Sequence, residues 1–253
     1  MSSSSILELR GISKTFASTT ALSPLDLDIE RGSFVSIVGP SGCGKSTLFN
    51  ILSGLIQPDN GSISLEDQNV IGATGHVGYM LQKDLLVPWR TVLGNITLGA
   101  RLKGKVGPED KEQAMGFAQK YGLGEFLHHY PSALSGGMRQ RVALMRTLAT
   151  NHQLLLLDEP FGALDAQTRF EMQQWLLQVW RDTQRTVLFI THDVDEAVFL
   201  SDRVLVMSPR PGRVVDDLRV DLPRPRTLDT LVSPAFTDLK SRVLHQLHRE
   251  RGA

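Results

Sequence analysis

The chain has 253 residues, 41% of them hydrophobic, enough for one sizeable α/β core with a smaller attached subdomain. Lys plus Arg and Asp plus Glu both number 27, so the chain lacks the basic excess of a nucleic-acid groove, and no nucleic-acid partner is expected. The single cysteine, Cys43, excludes an intrachain disulfide and a cysteine-rich metal site, and apolar runs of only a few residues exclude a membrane span.

Met1 to Ser5 lacks the regions of a signal peptide, and its serine run is expected to be disordered; the chain reads as soluble and cytoplasmic. Ile6–Arg10, Leu25–Ile29 and Gly61–Leu65 alternate apolar with polar residues, which predicts antiparallel strands. Phe16, between the first two, is placed either to stack on a planar base or to pack. Ser33–Val38 is β-branched and apolar enough for a buried strand, and Leu48, Phe49, Ile51, Leu52 and Leu55 recur at helical spacing.

Between that strand and that helix lie Gly39, Pro40, Ser41, Gly42, Cys43, Gly44, Lys45, Ser46 and Thr47, a match to G-x-x-x-x-G-K-[ST] in the required context. The glycines let the backbone turn tightly and aim its N–H groups inward, where a helix N-terminus adds to a polyphosphate cradle. Lys45 then reaches the β- and γ-phosphates and the Ser46 hydroxyl ligates Mg²⁺. Cys43 reads either as a thiol-sensitive position or as a small buried residue. His76–Met80 is a further short strand just before Gln82.

From Asp84 to about Thr150 the pattern turns helical, with Thr91 as an N-cap and Pro108 opening a second helix. The five apolar residues Leu85 to Trp89 sit in what should be a solvent-exposed loop. Ser135, Gly136 and Gly137 precede the amphipathic run Val142, Leu144, Met145, Leu148, making a second anion-binding helix start or an ordinary cap.

Leu154–Leu157 predicts a buried parallel strand ending in Asp158 and Glu159, two carboxylates that need a cation or water at the sheet's carboxyl edge. Asp158 suits Mg²⁺, largely through water, and Glu159 suits an attacking water. A helix from about Ala166 to Gln184 and a strand Thr186–Thr191 follow, with His192 at its end, either a surface histidine or a donor to a γ-phosphate. Asp195–Leu200 reads as a short helix. Arg203–Met207, Arg213–Val215 and Val220–Leu222 read as strands around the turn Pro209–Gly212, Leu222–Arg226 as a break, and Ser233 onward as a final amphipathic helix.

Together, Gly39 to Thr47, Gln82, Leu134–Gln140, Leu154–Glu159, Ala163–Asp165 and His192 resemble the ATP-binding subunits of ABC transporters in order and approximate spacing. The resemblance implies an α/β P-loop NTPase fold with a RecA-like core, an antiparallel β subdomain and an α-helical subdomain. It places one ATPase domain over 1–253, with the helical part at about 84–150 and a tail at about 222–253.

It further implies ATP and Mg²⁺ as cofactors. Phe16 is similar to the adenine-stacking aromatic, Gly39 to Thr47 to the Walker A loop, Gln82 to the Q-loop glutamine, and Ser135 and Gly137 to the phosphate-facing signature residues. Asp158 is similar to the Walker B aspartate, Glu159 to the catalytic glutamate, Asp165 to the D-loop residue and His192 to the switch histidine. Lys45, Gln82, Glu159 and His192 would then act in catalysis, and Ser46, Gln82 and Asp158 on the metal. Met138 stands where Gln is commoner.

Gly78–Gln82, Leu86–Asn95, Met138–Arg141 and Leu222–Arg226 are similar to the nitrate/sulfonate/taurine importer group. That implies a homodimer on the cytoplasmic face of the inner membrane, bound peripherally to permease subunits and served by a solute-binding protein. The alternative is an ABC-type ATPase in a soluble process not linked to transport.

Overall fold

The computed structural model describes residues 5–102, 104 and 106–251, the last without its side chain. The expected disorder of Ser2 to Ser4 lies outside the described residues, whereas Ser5 opens the first strand. In chain order come β1 (Ser5–Phe16), β2 (Thr19–Glu30), β3 (Phe34–Val38), α1 (Lys45–Leu52), β4 (Asn60–Leu65), β5 (Gln68–Asn69) and β6 (Gly78–Met80). The helical stretch follows as α2 (Val92–Ile96), α3 (Leu98–Leu102), α4 (Pro108–Lys120) and α5 (Gly136–Leu148). The chain then runs through β7 (Leu154–Asp158), α6 (Ala166–Thr183), β8 (Thr186–Ile190), α7 (Val194–Leu200), β9 (Arg203–Met207), β10 (Val214–Arg219), α8 (Leu228–Leu231) and α9 (Pro234–Arg251).

One sheet is antiparallel, in the order β2-β1-β4-β5. The other, in the order β10-β9-β3-β8-β7-β6, is parallel except for its β10 edge. Strands β3, β7 and β8 are buried throughout, as parallel strands covered on both faces must be. Their alternating side chains divide between two apolar cores. Leu155, Leu157, Val187 and Phe189 join the core toward α5, α6 and α7. Leu154, Leu156, Leu188 and Ile190 join the core shared with α1 and the antiparallel sheet. The same period of two carries Asp158 onto the α1 side.

Two expectations change in the C-terminal third. The pair of short strands expected at Arg213–Val215 and Val220–Leu222 is one strand, β10, paired with β9 from Val214 to Arg219. Val220 and Leu222 are buried with Phe236 and Val243 of α9 in the helix-side core, so their apolar spacing reflects packing under a helix. Arg226 is also buried: its Nη1 donates to Val198, Phe199 and Ser201 carbonyls at 3.1, 2.9 and 2.7 Å, closing the C-terminal end of α7. Burial lowers its pKa to about 10.

Candidate active site

The phosphate-type loop leaves β3 at Val38 and enters α1 at Lys45. Gly44 caps the helix at φ +108, and a Cβ there would lie 2.7 Å from Leu22 Cδ2 and 2.8 Å from Ala21 O, so only glycine fits. No side chain caps α1, which leaves its first N–H groups to a ligand. The buried Lys45 ammonium donates to Gly39 O at 2.8 Å and Pro40 O at 3.0 Å, across the mouth of the loop. Cys43 is buried, with its Sγ 3.7 Å from the same ammonium.

A cleft of about 390 Å³ opens over this loop, bordered by Phe16, Ser41, Lys45, Ser46, Thr47 and Glu159. Phe16 stands at the end of β1, 44% exposed, with Lys14 Nζ 5.5 Å from its ring centroid. An exposed aromatic rim, a buried cation and uncapped N–H groups suit a planar base joined to phosphates.

Asp158 ends β7 on the α1 side. Burial raises its pKa above the usual carboxylate range and Glu159 adds to the rise, while the Ser46 hydroxyl, Lys45 and Tyr79 oppose it. A hydroxyl facing a partly desolvated carboxyl is a hard-oxygen donor pair, the type a Mg²⁺ ion takes when phosphate oxygens and water complete its shell. Among the described residues no cluster of three His, Cys, Asp or Glu side chains would hold a metal alone.

Gln82, Glu159 and His192 follow β6, β7 and β8 and converge. Gln82 Nε2 donates to Glu159 Oε2 at 3.0 Å, and His192 Nδ1 lies 3.2 Å from the same oxygen. Glu159 adopts φ 44, a left-handed conformation that a non-glycine residue seldom occupies, held by Glu159 N donating to Ile190 O at 2.9 Å. Gln82 thus sits with Glu159 and His192 rather than with Ser46 and Asp158.

Behind His192, Thr191 Oγ1 donates to the buried Glu196 at 2.6 Å and Gln173 Nε2 donates at 3.2 Å. Arg169 lies 3.8 Å from Glu196 and donates to Leu164 O at 2.8 Å, tying the segment before Asp165 to this cluster. Asp165 caps α6 through Thr168 N at 3.0 Å. Sequence spacing marks neither Arg169 nor Glu196, because each joins the site through tertiary contacts alone.

Ser135 and Gly137 stand apart from the phosphate loop. Ser135 caps α5 by accepting from Met138 N at 3.3 Å, and Gly137 is buried against α6. The start of α5 instead borders a second cleft, about 640 Å³, shared with Gln82, Asp84, Arg139, Glu159 and His192.

The expected loop of exposed apolar residues is exposed only in part. Leu85 and Trp89 are 53% and 77% exposed, but Leu86 is buried in the helix-side core. Asn95 braces this loop by accepting from Val87 N at 2.7 Å, and Arg146 grips Leu85 O and Asp84 O at 2.7 and 2.6 Å. A five-residue apolar run does not disclose which residue turns inward.

Residues 22–162 match the family model described as ABC transporter. A putative ATP-binding protein of Brucella abortus (strain 2308) is 47% identical over 231 residues, 91% of this chain and 89% of the relative. A taurine import ATP-binding protein of Yersinia pestis bv. Antiqua (strain Antiqua) is 44% identical over 216 residues, 85% of each chain. An ATP-binding cassette solved as a dimer in a post-hydrolysis state with ADP and Pi superposes with a TM-score of 0.74 at 31% identity, covering 86% of this chain and all of that one. No helix among the described residues is long and apolar enough to cross a membrane.

Proposed function

Because this chain belongs to the ATP-binding subunits of ABC transporters, we propose that it hydrolyses ATP to drive a membrane importer of a small nitrate-, sulfonate- or taurine-like solute. The observation that carries the catalytic reading is the convergence of Gln82 and His192 on one oxygen of Glu159, beside the cleft that Lys45 enters. The importer reading draws support from the relative named for taurine import, and the dimer from the cassette solved as one.

On this reading Phe16 stacks on adenine, residues 39 to 47 cradle the phosphates with Cys43 as a packed loop residue, and Lys45 offsets phosphate charge. Ser46 and Asp158 would hold Mg²⁺, with Gln82 joining them on release from Glu159. The bound ion would supply charge neutralisation across the β- and γ-phosphate oxygens. Glu159 takes the proton of the attacking water, His192 orients its carboxylate, and His192 donates to the γ-phosphate as charge develops there.

Two chains would stack head to tail, with Ser135 and Gly137 of one completing the phosphate site of the other. The whole chain would act as one ATPase domain, in which residues of about 84–150 form the lever and those of about 222–253 a tail. The assembly would lie on the cytoplasmic face of the membrane, with a solute-binding protein delivering cargo to the permease. Exposed Leu85 and Trp89, on a loop that begins two residues after Gln82, form the surface offered to a permease helix and favour a membrane partner over a soluble process.

The test is the double variant L85D/W89A, which spares the buried Leu86. It should keep the ATPase rate of the isolated subunit and lose both co-purification with the permease and ATP-dependent uptake. Normal uptake by the variant would remove the docking assignment, and a wild-type chain without ATPase activity would remove the catalytic one.

A further inference from the structure

Resting on the ATPase reading, we infer that Arg210 is a further nucleotide-binding residue: its guanidinium fixes the Gly42–Cys43 peptide of the phosphate loop and places a second permanent cation beside Lys45. Arg210 lies in the turn between β9 and β10, 168 positions from the residue it grips. Its Nε and Nη2 both donate to Gly42 O, at 3.1 and 3.0 Å, and its side chain borders the cleft over the phosphate loop.

The turn is held so that this grip is built in. Gly212 N donates to Ala21 O at 2.9 Å and Ser23 N donates to Gly212 O at 3.0 Å, tying the turn to β2. Ser208 N donates to Arg213 O at 3.0 Å and closes the turn on itself. At Gly212 a Cβ would fall 1.9 Å from Cys43 O, so the backbone of the turn lies directly on the backbone of the phosphate loop. The loop is therefore wedged between α1 and a turn that presents an arginine.

The consequence follows from peptide planarity. Gly42 C=O and Cys43 N–H belong to one rigid unit and point opposite ways. Drawing the carbonyl toward Arg210 keeps the Cys43 N–H turned to the other side, where it meets Pro40 O at 3.3 Å, a long bond that a better acceptor can replace. The guanidinium is always protonated, and its planar fork leaves donors beyond the two that hold Gly42 O. Among the described residues that border this cleft, Lys45 and Arg210 are the cations and Glu159 the carboxylate, so Arg210 tips the local charge toward a polyphosphate.

Purified full-length chain is titrated with ATP and ADP by calorimetry for wild type, R210A, R210K, R210Q and the neighbouring R213A, with Tm measured for each and steady-state ATPase for R210A. R210A should raise both dissociation constants about tenfold, the size expected for a charge-assisted hydrogen bond at a partly exposed site. Its Tm should be unchanged, its KM should rise in proportion, and its kcat should stay within about twofold, because Arg210 touches none of Gln82, Glu159 and His192. R210K should recover part of the loss through its charge and R210Q part through its donor, and R213A should bind like wild type.

R210A binding within twofold of wild type overturns the inference. So does equal weakening in R213A, or a lowered Tm with unchanged affinity, which marks a role in folding alone. If R210A does not fold, R210Q and R210K decide it, since wild-type affinity in both overturns the inference and graded loss supports it. A wild-type chain that fails to bind ATP overturns the ATPase reading itself, an outcome distinct from tight wild-type binding beside an unaltered variant.

Discussion

Two helices begin with glycine-rich segments, α1 after the phosphate loop and α5 after Ser135, and the two starts are built differently. At α1 no side chain caps the helix, a lysine crosses the loop mouth, and Asp158 faces Ser46 behind it. At α5 the Ser135 hydroxyl is already engaged with Met138 N. Arg139 at that start is drawn back to Asp84 at 3.2 Å and Leu134 O at 2.8 Å. A Cβ on Gly137 would lie 2.9 Å from Thr168 Cγ2, so the α5 start is also pressed against α6. The first start leaves its N–H groups uncapped beside a buried lysine, whereas the second has its cap and its arginine already engaged. On the proposed head-to-tail reading, the same backbone chemistry would yield a site at α1 and half of a site at α5, according to what stands behind each helix.

Removing the reaction while keeping the ligand gives the largest effect. E159Q should cut the hydrolysis rate by about 10²–10⁴-fold, the usual contribution of a positioned base, while retaining ATP affinity. With ATP undischarged, light scattering should then find a dimer, and adding S135A to E159Q should return it to monomer. A persistent dimer in E159Q/S135A would break the contrast by showing that α5 contributes nothing across the interface.

Next in size, K45A should weaken ATP binding to the isolated chain about a hundredfold in calorimetry, since a charged donor to phosphate is lost. S135A alone should leave that affinity within about twofold and cost about 1 kcal/mol of stability through the lost cap, readable by urea unfolding. Equal loss of affinity in the two variants would mean that both starts face one phosphate group within the same chain.

Much of the α1 side was legible in sequence because its parts are local. The loop, its strand and its helix are contiguous, and the alternation in Leu154–Leu157 carries Asp158 to the α1 face. What stayed hidden depends on distant contacts or on backbone angles. Arg210 reaches Gly42 across 168 positions. The left-handed Glu159 has no compositional mark. Leu86 has the same apolar character as the exposed Leu85 and Trp89, and Val220 alternates with charged residues as a strand would, yet both are buried in the helix-side core. The convergence of Gln82, Glu159 and His192 was expected only through resemblance, since it requires the order β8-β7-β6 at one sheet edge.

The smallest expected effect concerns what stands behind each start. Each is backed by a carboxyl whose pKa burial raises: Asp158 behind α1, and Glu196 behind the segment on which α5 leans. Arg169 links Glu196 to Leu164, and Leu164 Cδ2 lies 3.5 Å from where a Cβ on Gly136 would sit. For Glu196, desolvation outweighs the stabilising bonds from Thr191 and Gln173, with Asp193 adding to the rise and Arg169 opposing it. Its folded pKa therefore exceeds the unfolded 4.5, and between the two values the folded chain binds more protons than the unfolded one. The stability from this group is fully present below 4.5 and is lost as pH rises through the folded value. E196Q cannot titrate there. The Tm of wild type minus that of E196Q should be most positive at low pH and fall to a plateau as pH rises, at about 2–4 °C per kcal/mol for a chain of this size. ATP affinity at α1 should be unaffected throughout, because Glu196's partners Thr191, Gln173 and Arg169 all lie outside the phosphate loop. A flat difference profile would show that the buried carboxyl keeps its ordinary pKa, and a parallel change in ATP affinity would show that the two starts share one support.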